Sequence, residues 1–206
     1  NTYIRKADES LIALGYTEHS FAHVGMVAAN ARYILEKLGY SQRTVELVQI
    51  AAYLHDIGNL VNRSEHSQSG AVMAFRILDN LGFPADEIAM IVTAIGNHDE
   101  GTGVPVDEMS AALILADKSD VRRNRVRTTD REKFDIHDRV NYAVIGSTLK
   151  VDPEEKIISL NLQVDESICS MYEYFDIFLG RMMMCRGAAE MLGAKFRLSV
   201  NGGKVL

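Results

Sequence analysis

The chain has 206 residues, 47% of them hydrophobic and 24% charged, with two cysteines and a formal net charge of −6. Such a composition buries a core without disulfide or metal staples, and it excludes a fibre, a disordered tail and a disulfide scaffold. The acidic balance argues against a general nucleic-acid coat, and apolar runs such as Ala111 to Ala116 fall far short of the roughly 20 residues that cross a bilayer.

Charges in the first 15 residues stand where a signal peptide would be apolar, so the chain reads as cytoplasmic, although residue 1 is Asn and not Met. From Tyr3 to about Val121 apolar residues recur at helical spacing, which predicts helices over 2–14, 17–38, 42–57, 66–81, 84–97 and 107–123. Gly15, Gly39, Gly58 and Gly82 stand where helices would stop, and Pro84 precedes the acidic first turn of Asp86 and Glu87. Short connections imply a compact helical domain without a fixed repeat.

The pattern changes after the cluster Arg122, Arg123, Arg125 and Arg127. Val140 to Val151 reads as extended, and Ile158, Leu160, Leu162 and Val164 alternate with polar residues in the manner of a strand with one buried face. A turn at Asp152, Pro153 and Glu154 makes these two a hairpin, and a slip in apolar parity predicts a bulge at Gly146. A helix from Glu166 to Leu192, a cap at Gly193 and a strand through Phe196, Leu198 and Val200 complete a strand-strand-helix-strand unit. The expected class is therefore mainly α: an all-α helical bundle over 1–135 followed by a small α+β unit over 136–206. Along the long helix Ile168, Met171, Tyr172, Phe175, Phe178, Leu179, Met182 and Met183 read as one apolar face. It packs over the sheet or forms a homodimer interface, since a small sheet leaves an open edge. Cys169 and Cys185, read as lying on that helix, are expected to be reduced core thiols.

His55 and Asp56 are adjacent at the end of an apolar helix, where burying both carries a large desolvation cost. A metal ion is the simplest compensation. Imidazole with carboxylate suits iron, manganese, cobalt, nickel or zinc and fits an all-oxygen calcium site poorly. Other residues keep this pair company. His23 stands on a helix whose small and apolar residues face the core, His66 opens a later helix, His98 and Asp99 follow an apolar helix, and Asp117 follows four apolar residues. A carboxylate so placed would be buried and needs a partner.

In this order His23, His55-Asp56 and Asp117 resemble the HD superfamily of metal-dependent phosphohydrolases, and the additional His66 and His98 resemble its six-ligand, two-metal branch. The resemblance spans about residues 19 to 120. Asn97 to Pro105 looks like the signature of the HD-GYP cyclic dinucleotide phosphodiesterases. Three departures separate the chain from that branch: Asn97 for the first His of a pair, Val104 for the Tyr, and Asn59 for the Lys after His-Asp-x-Gly. The spacing also looks like that of the bacterial dinucleoside tetraphosphatases, which lack the strand-rich tail.

The resemblance implies one or two divalent ions (Fe, Mn, Co, Ni, Zn or Mg). His23, His55, Asp56 and Asp117 would hold the first, and His66 and His98 the second with Asp56 as bridge. Two cations about 3.5 to 4 Å apart activate a hydroxide and clamp a phosphoryl oxygen. Catalytic roles then fall on Asp56, His55 and Asp99, the last as acid or base to the leaving group against the alternative of a plain surface acid. Lys118, Arg122 and Arg125 are the candidate phosphate ligands, since on a helix Arg122 shares one face with Arg125 and with Lys118, against a solvated, salt-bridged helix end. His19, one turn before His23, is a neighbour of the site or an exposed helix residue; Asp120 either faces the site or does not; His137 reads as a surface residue. The implied activity is hydrolysis of a nucleotide or other small phosphorylated molecule, with no membrane partner. A non-catalytic nucleotide sensor or scaffold that dimerises through its tail, and a di-iron oxygenase of the same superfamily, are the alternatives.

Overall fold

The computed structural model describes residues 1–128, 130, 132 and 134–205. Helices α1 (Thr2–Ala13), α2 (Phe21–Lys37), α3 (Gln42–Leu54), α4 (His66–Asn80), α5 (Ala85–Gly96) and α6 (Glu108–Lys118) build the expected bundle. Side chains of Ser20, Ser41 and Asp107 accept main-chain N–H bonds at the starts of α2, α3 and α6. Gly15, Gly39 and Gly82 take left-handed φ just past α1, α2 and α4, where any other residue would be strained. The axis of the bundle is α6, buried on every side from Met109 to Ala116 and packed by α2, α3, α5 and the later helix α8 (Met171–Met191).

Several predicted boundaries move, each for a local reason that bears on the site. Helix α3 stops at Leu54, and His55 and Asp56 form a bend into a 3-10 turn over Ile57–Leu60. Helix α2 begins at Phe21, so His19 precedes it and is not a helix residue. Gly58 caps no helix and has no left-handed φ; a Cβ there would lie 1.9 Å from the carbonyl oxygen of His66, so its missing side chain lets the turn press onto the start of α4. Helix α6 ends at Lys118, where the Ser119 hydroxyl donates back to the Ala116 carbonyl. Arg122 therefore lies in extended backbone and Arg125 in a short 3-10 turn, and the helical face expected to align them does not exist.

The second half contains one helix that the sequence reading missed. Helix α7 (Ile136–Ala143) takes in Val140 to Ala143, the start of the run expected as extended, and is capped by Asp135, whose carboxylate accepts from Asp138 N. Strands β1 (Val144–Asp152) and β2 (Ile157–Val164) make the antiparallel hairpin. Val144 pairs with Val164 and Gly146 with Gln163, so the extra residue is Ile145, turned out and 60% exposed, one position before the predicted bulge. Helix α8 (Met171–Met191) crosses over to β3 (Lys195–Val200), which lies parallel to β2, and β4 (Gly203–Lys204) adds a short antiparallel edge. A reciprocal cap between Ser170 and Glu173 starts α8 at Met171, not Glu166, so Cys169 lies before the helix although both thiols are buried and free.

Helix α8 buries Tyr174, Phe178, Met182 and Cys185 and packs on α6 and β3, whereas Tyr172, Leu179 and Met183 face outward. The eight apolar residues thus do not share one face. Buried side chains of the bundle and of the sheet unit form a single continuous cluster, which seats α8 beside α6 and brings it to the site. No helix among the described residues is long and apolar enough to cross a membrane.

Candidate metal centre

Five elements deliver the histidines and aspartates to one point. His23 lies in the first turn of α2, His55 and Asp56 in the bend after α3, His66 opens α4, His98 follows α5, and Asp117 lies in the last turn of α6. All four imidazoles are buried, at 0 to 2% exposure. Each is held by its Nδ1: His55 to the Ala52 carbonyl at 2.7 Å, His66 to Arg63 O at 3.1 Å, His98 to Ile95 O at 2.7 Å, and His23 to Asp120 Oδ2 at 2.8 Å. A carbonyl or carboxylate oxygen only accepts, so Nδ1 carries the proton and Nε2 presents a lone pair inward.

Those Nε2 atoms converge on Asp56. Its Oδ2 lies 3.5 Å from His23 and 3.2 Å from His55, while its Oδ1 lies 3.4 Å from His66 and 3.9 Å from His98. Asp117 Oδ1 closes the first side at 3.3 Å from His23 Nε2 and 3.8 Å from His55 Nε2. His66 Nε2 and His98 Nε2 are 3.2 Å apart, a distance at which two bare lone pairs repel. His23 Nε2, His55 Nε2 and Asp56 Oδ2 are buried without a hydrogen-bond partner among the described residues. Orphaned acceptors of this kind are costly, and a divalent cation satisfies them together. The sets His23, His55, Asp117 and His55, Asp56, His98 each bring three donor atoms within 4.8 Å of one another, so the cluster can hold a metal ion.

Electrostatics agree with the geometry. Burial, with His55 and Lys118 nearby, depresses His98 to about 3, and burial also lowers His66. For Asp56 and Asp117 burial pushes upward, but His55 beside Asp56 and Lys118 beside Asp117 hold both carboxyls well below the usual range. Neutral imidazoles and ionised carboxylates are the states in which these groups ligate. His55 goes the other way: burial pulls it down, yet Asp56 and Asp117 outweigh burial and raise it. A field strong enough to raise a fully buried imidazole is a field that favours a divalent cation.

Behind the cluster, Asp120 does not face the cavity; it receives His23 Nδ1 and is in turn gripped by the Arg122 guanidinium, with Nη2 at 2.9 Å. Arg122, expected to bind phosphate, is thereby spent as a support. Arg125 lines the cavity but donates to the carbonyls of Glu18 at 2.9 Å and Asp120 at 2.8 Å, tying the segment before α2 to the chain after α6. Lys118, the other candidate phosphate ligand, lines the cavity with Nζ 2.6 Å from Asp117 Oδ2. Asp99 Oδ1 is 3.9 Å from His66 Nε2; burial pushes its carboxyl up, but His66 and Lys118 outweigh burial and hold it below its ordinary value.

A cavity of about 340 Å³ opens on Asp56, His66, His98 and Asp117. Cations facing it among the described residues are Arg63, Lys118, Arg125 and Arg181. Its outer wall is Tyr16, the α7 residues His137, Asp138 and Asn141, and Phe178 and Arg181 of α8. His19, half-buried, also lines the cavity, its ring 5.3 Å from that of His23. His137, expected at the surface, is exposed at the rim. Arg63 had a sequence signal in its position one turn before His66. Arg181 and Phe178 had none, because they reach the site only through the packing of α8 on α6.

A bundle that gathers four histidines and two aspartates around a cavity defines a His/Asp metal-binding helical domain. The HD domain family model matches residues 20–139, more than half of the sequence, and the chain belongs to that family, a metal-dependent phosphohydrolase type of domain. It is also similar to the uncharacterized protein MJ1020 of Methanocaldococcus jannaschii, 28% identical over 186 residues that cover 79% of this chain and 71% of that protein.

Proposed function

We propose that this chain is a metal-dependent phosphohydrolase that cleaves a phosphoester or phosphoanhydride of a nucleotide or another small phosphorylated molecule. The observation that carries the reading is the division of Asp56, one carboxylate oxygen turned to His23 and His55 and the other to His66 and His98. On this reading His23, His55, Asp56 and Asp117 would hold one divalent ion, and His66, His98 and Asp56 would hold a second. Fe, Mn, Co, Ni, Zn and Mg are the candidates. Bound there, the ions would supply Lewis acidity toward a phosphoryl oxygen and lower the pKa of a water molecule.

The chain's own groups do the rest. Lys118 places an ammonium beside Asp117, where it offsets charge on the phosphoryl group. Asp99, on the cavity side of His66, is positioned to exchange a proton with the attacking water or the leaving group. Arg122 acts from behind, by gripping the Asp120 carboxylate, and Arg125 holds the Asp120 carbonyl from the cavity side. A cavity of about 340 Å³ lies at the small end of the roughly 300–1,000 Å³ range of ligand sites, which favours a mononucleotide-sized substrate over a cyclic dinucleotide.

The test is to purify the protein anaerobically, count its metals and screen nucleotides, cyclic dinucleotides and dinucleoside polyphosphates for release of phosphate or nucleoside. Bound metal and one preferred substrate support the hydrolase. Nucleotide binding without metal or turnover would replace it with the sensor reading, and iron-dependent consumption of dioxygen with the oxygenase.

A further inference from the structure

Glu100 follows the ligand His98 by two residues, on a loop that Gly103 closes: a Cβ at Gly103 would lie 2.2 Å from the Asn97 carbonyl oxygen. Its carboxylate lines the cavity and stands between two cations from different parts of the chain. Arg181 Nε of α8 donates to Glu100 Oε1 at 2.8 Å, and Lys118 Nζ of α6 lies 3.8 Å from the same oxygen. Arg181 is pinned from behind, its guanidinium carbon 4.4 Å above the Phe178 ring, so its donors are held toward the cavity. Lys118 reaches the other way as well, 2.6 Å from Asp117 Oδ2, and so joins this pair to the His/Asp cluster.

We propose that Lys118 and Arg181 form an anion subsite for a phosphoryl group, and that Glu100 is an internal stand-in whose carboxylate holds the subsite until a phosphate displaces it. The proposal rests on the phosphohydrolase reading and assigns to α8 a part in substrate binding. The physical ground is that Glu100 provides what a phosphate would provide there, an oxygen shared by an ammonium and a guanidinium. A phosphate dianion carries more charge and more acceptor oxygens than a carboxylate, so it wins the exchange once it is also engaged at the cluster. Glu100 then swings into solvent; it is already about one-third exposed, and its release costs little.

The alternative is that Glu100 and Arg181 only tie the loop to α8. The two accounts give opposite signs for one substitution. Inorganic phosphate is titrated into the metal-loaded full chain by calorimetry, alongside turnover of the preferred phosphoester. Arg181→Met is expected to weaken phosphate binding about tenfold, the loss of one charge-assisted hydrogen bond. Arg181→Lys restores part of it. Glu100→Gln is expected to tighten binding severalfold, because the competitor is gone, and that gain should fall below twofold in the Arg181→Met background.

Weaker binding in Glu100→Gln, or phosphate affinity unchanged by Arg181→Met, overturns the subsite while leaving the hydrolase reading intact if the wild type still turns over. A gain from Glu100→Gln that persists in full without Arg181 marks a general charge effect and also overturns it. A metal-loaded wild type that neither binds phosphate nor hydrolyses any phosphoester overturns both readings.

Discussion

The wall of the cavity contributed by α2 to α6 and the wall contributed by Tyr16, α7 and α8 hold their polar groups in different ways. On the first, every imidazole is buried and fixed through Nδ1 to a main-chain carbonyl or to Asp120, so its free nitrogen cannot turn away. On the second, Arg181 is partly exposed and is held by charge to Glu100 of the α5–α6 loop across the cavity. Fixed donors suit a step whose geometry cannot vary, whereas exchangeable pairs suit recognition, where a ligand takes over an existing contact. On the proposed phosphohydrolase reading, the reaction would belong to the bundle and substrate choice to the outer wall.

That comparison breaks first at Asp56, the residue that both halves of the cluster share. Asp56→Ala is expected to reduce hydrolysis to background and to empty the cluster of metal, measured by elemental analysis of the purified variant; full metal content with normal turnover would remove the cluster from the mechanism. Next comes Gly58, whose missing side chain lets the 3-10 turn sit on the His66 carbonyl. Gly58→Ala is expected to cost about 3 kcal/mol in urea unfolding, the upper range for an overpacked site, because the two atoms nearest the added methyl are backbone, His66 O and Gly70 N. An unchanged midpoint would mean that the bend after α3 has slack. Smaller again is Asp120→Asn, which keeps a hydrogen-bond acceptor for His23 but loses the charge and loosens Arg122. Metal affinity is expected to fall about 10- to 100-fold with the fold intact, the usual effect of a group behind a ligand. Competition with a chelating dye measures it, and an unchanged affinity would show that Nδ1 of His23 needs no anchor.

Much of the rigid wall was legible in the sequence, and the reason is local. A histidine or aspartate at the end of an apolar helix advertises its own burial, which marked His55, Asp56, His98 and Asp117, whereas His23 and His66, at helix starts, gained weight only from the company and order of the set and its resemblance to the HD superfamily. The outer wall was not legible, because its members are ordinary surface residues until tertiary packing gathers them. Arg181 is one cation on an amphipathic helix; only the contact of α8 with α6 makes it a neighbour of Lys118. The arginine cluster misled for the complementary reason. Helical periodicity was extended past Lys118, but Ser119 turned back on Ala116 and Asp120 on His23, and these two polar side chains ended the helix. Helix α7 was lost in the same way: its eight residues carry too few apolar positions to distinguish a helix from a strand.

Whether the outer wall is in fact a wall can be read from a thiol behind it. Cys185 lies one turn beyond Arg181 on the buried face of α8, 1% exposed, and burial pushes its pKa up to about 12. At pH 8 a thiol with that pKa is ionised to only about one part in ten thousand, against about a quarter for an exposed cysteine. Labelling by a disulfide reagent in a Cys169→Ser background is therefore expected to be slow and to proceed through transient lifting of α8. The pH dependence identifies the route. Attack on the thiol in place would accelerate about a hundredfold from pH 8 to 10, because the fraction ionised climbs tenfold per pH unit below its pKa. Attack after opening would accelerate only about fourfold, since an exposed thiol is already near half ionised at pH 8.5. A fourfold rise at a slow absolute rate keeps α8 in place as the support for Arg181. Rapid labelling at pH 8 would mean that the helix leaves α6 freely, and a subsite that depends on Arg181 would then form only when substrate draws the helix back.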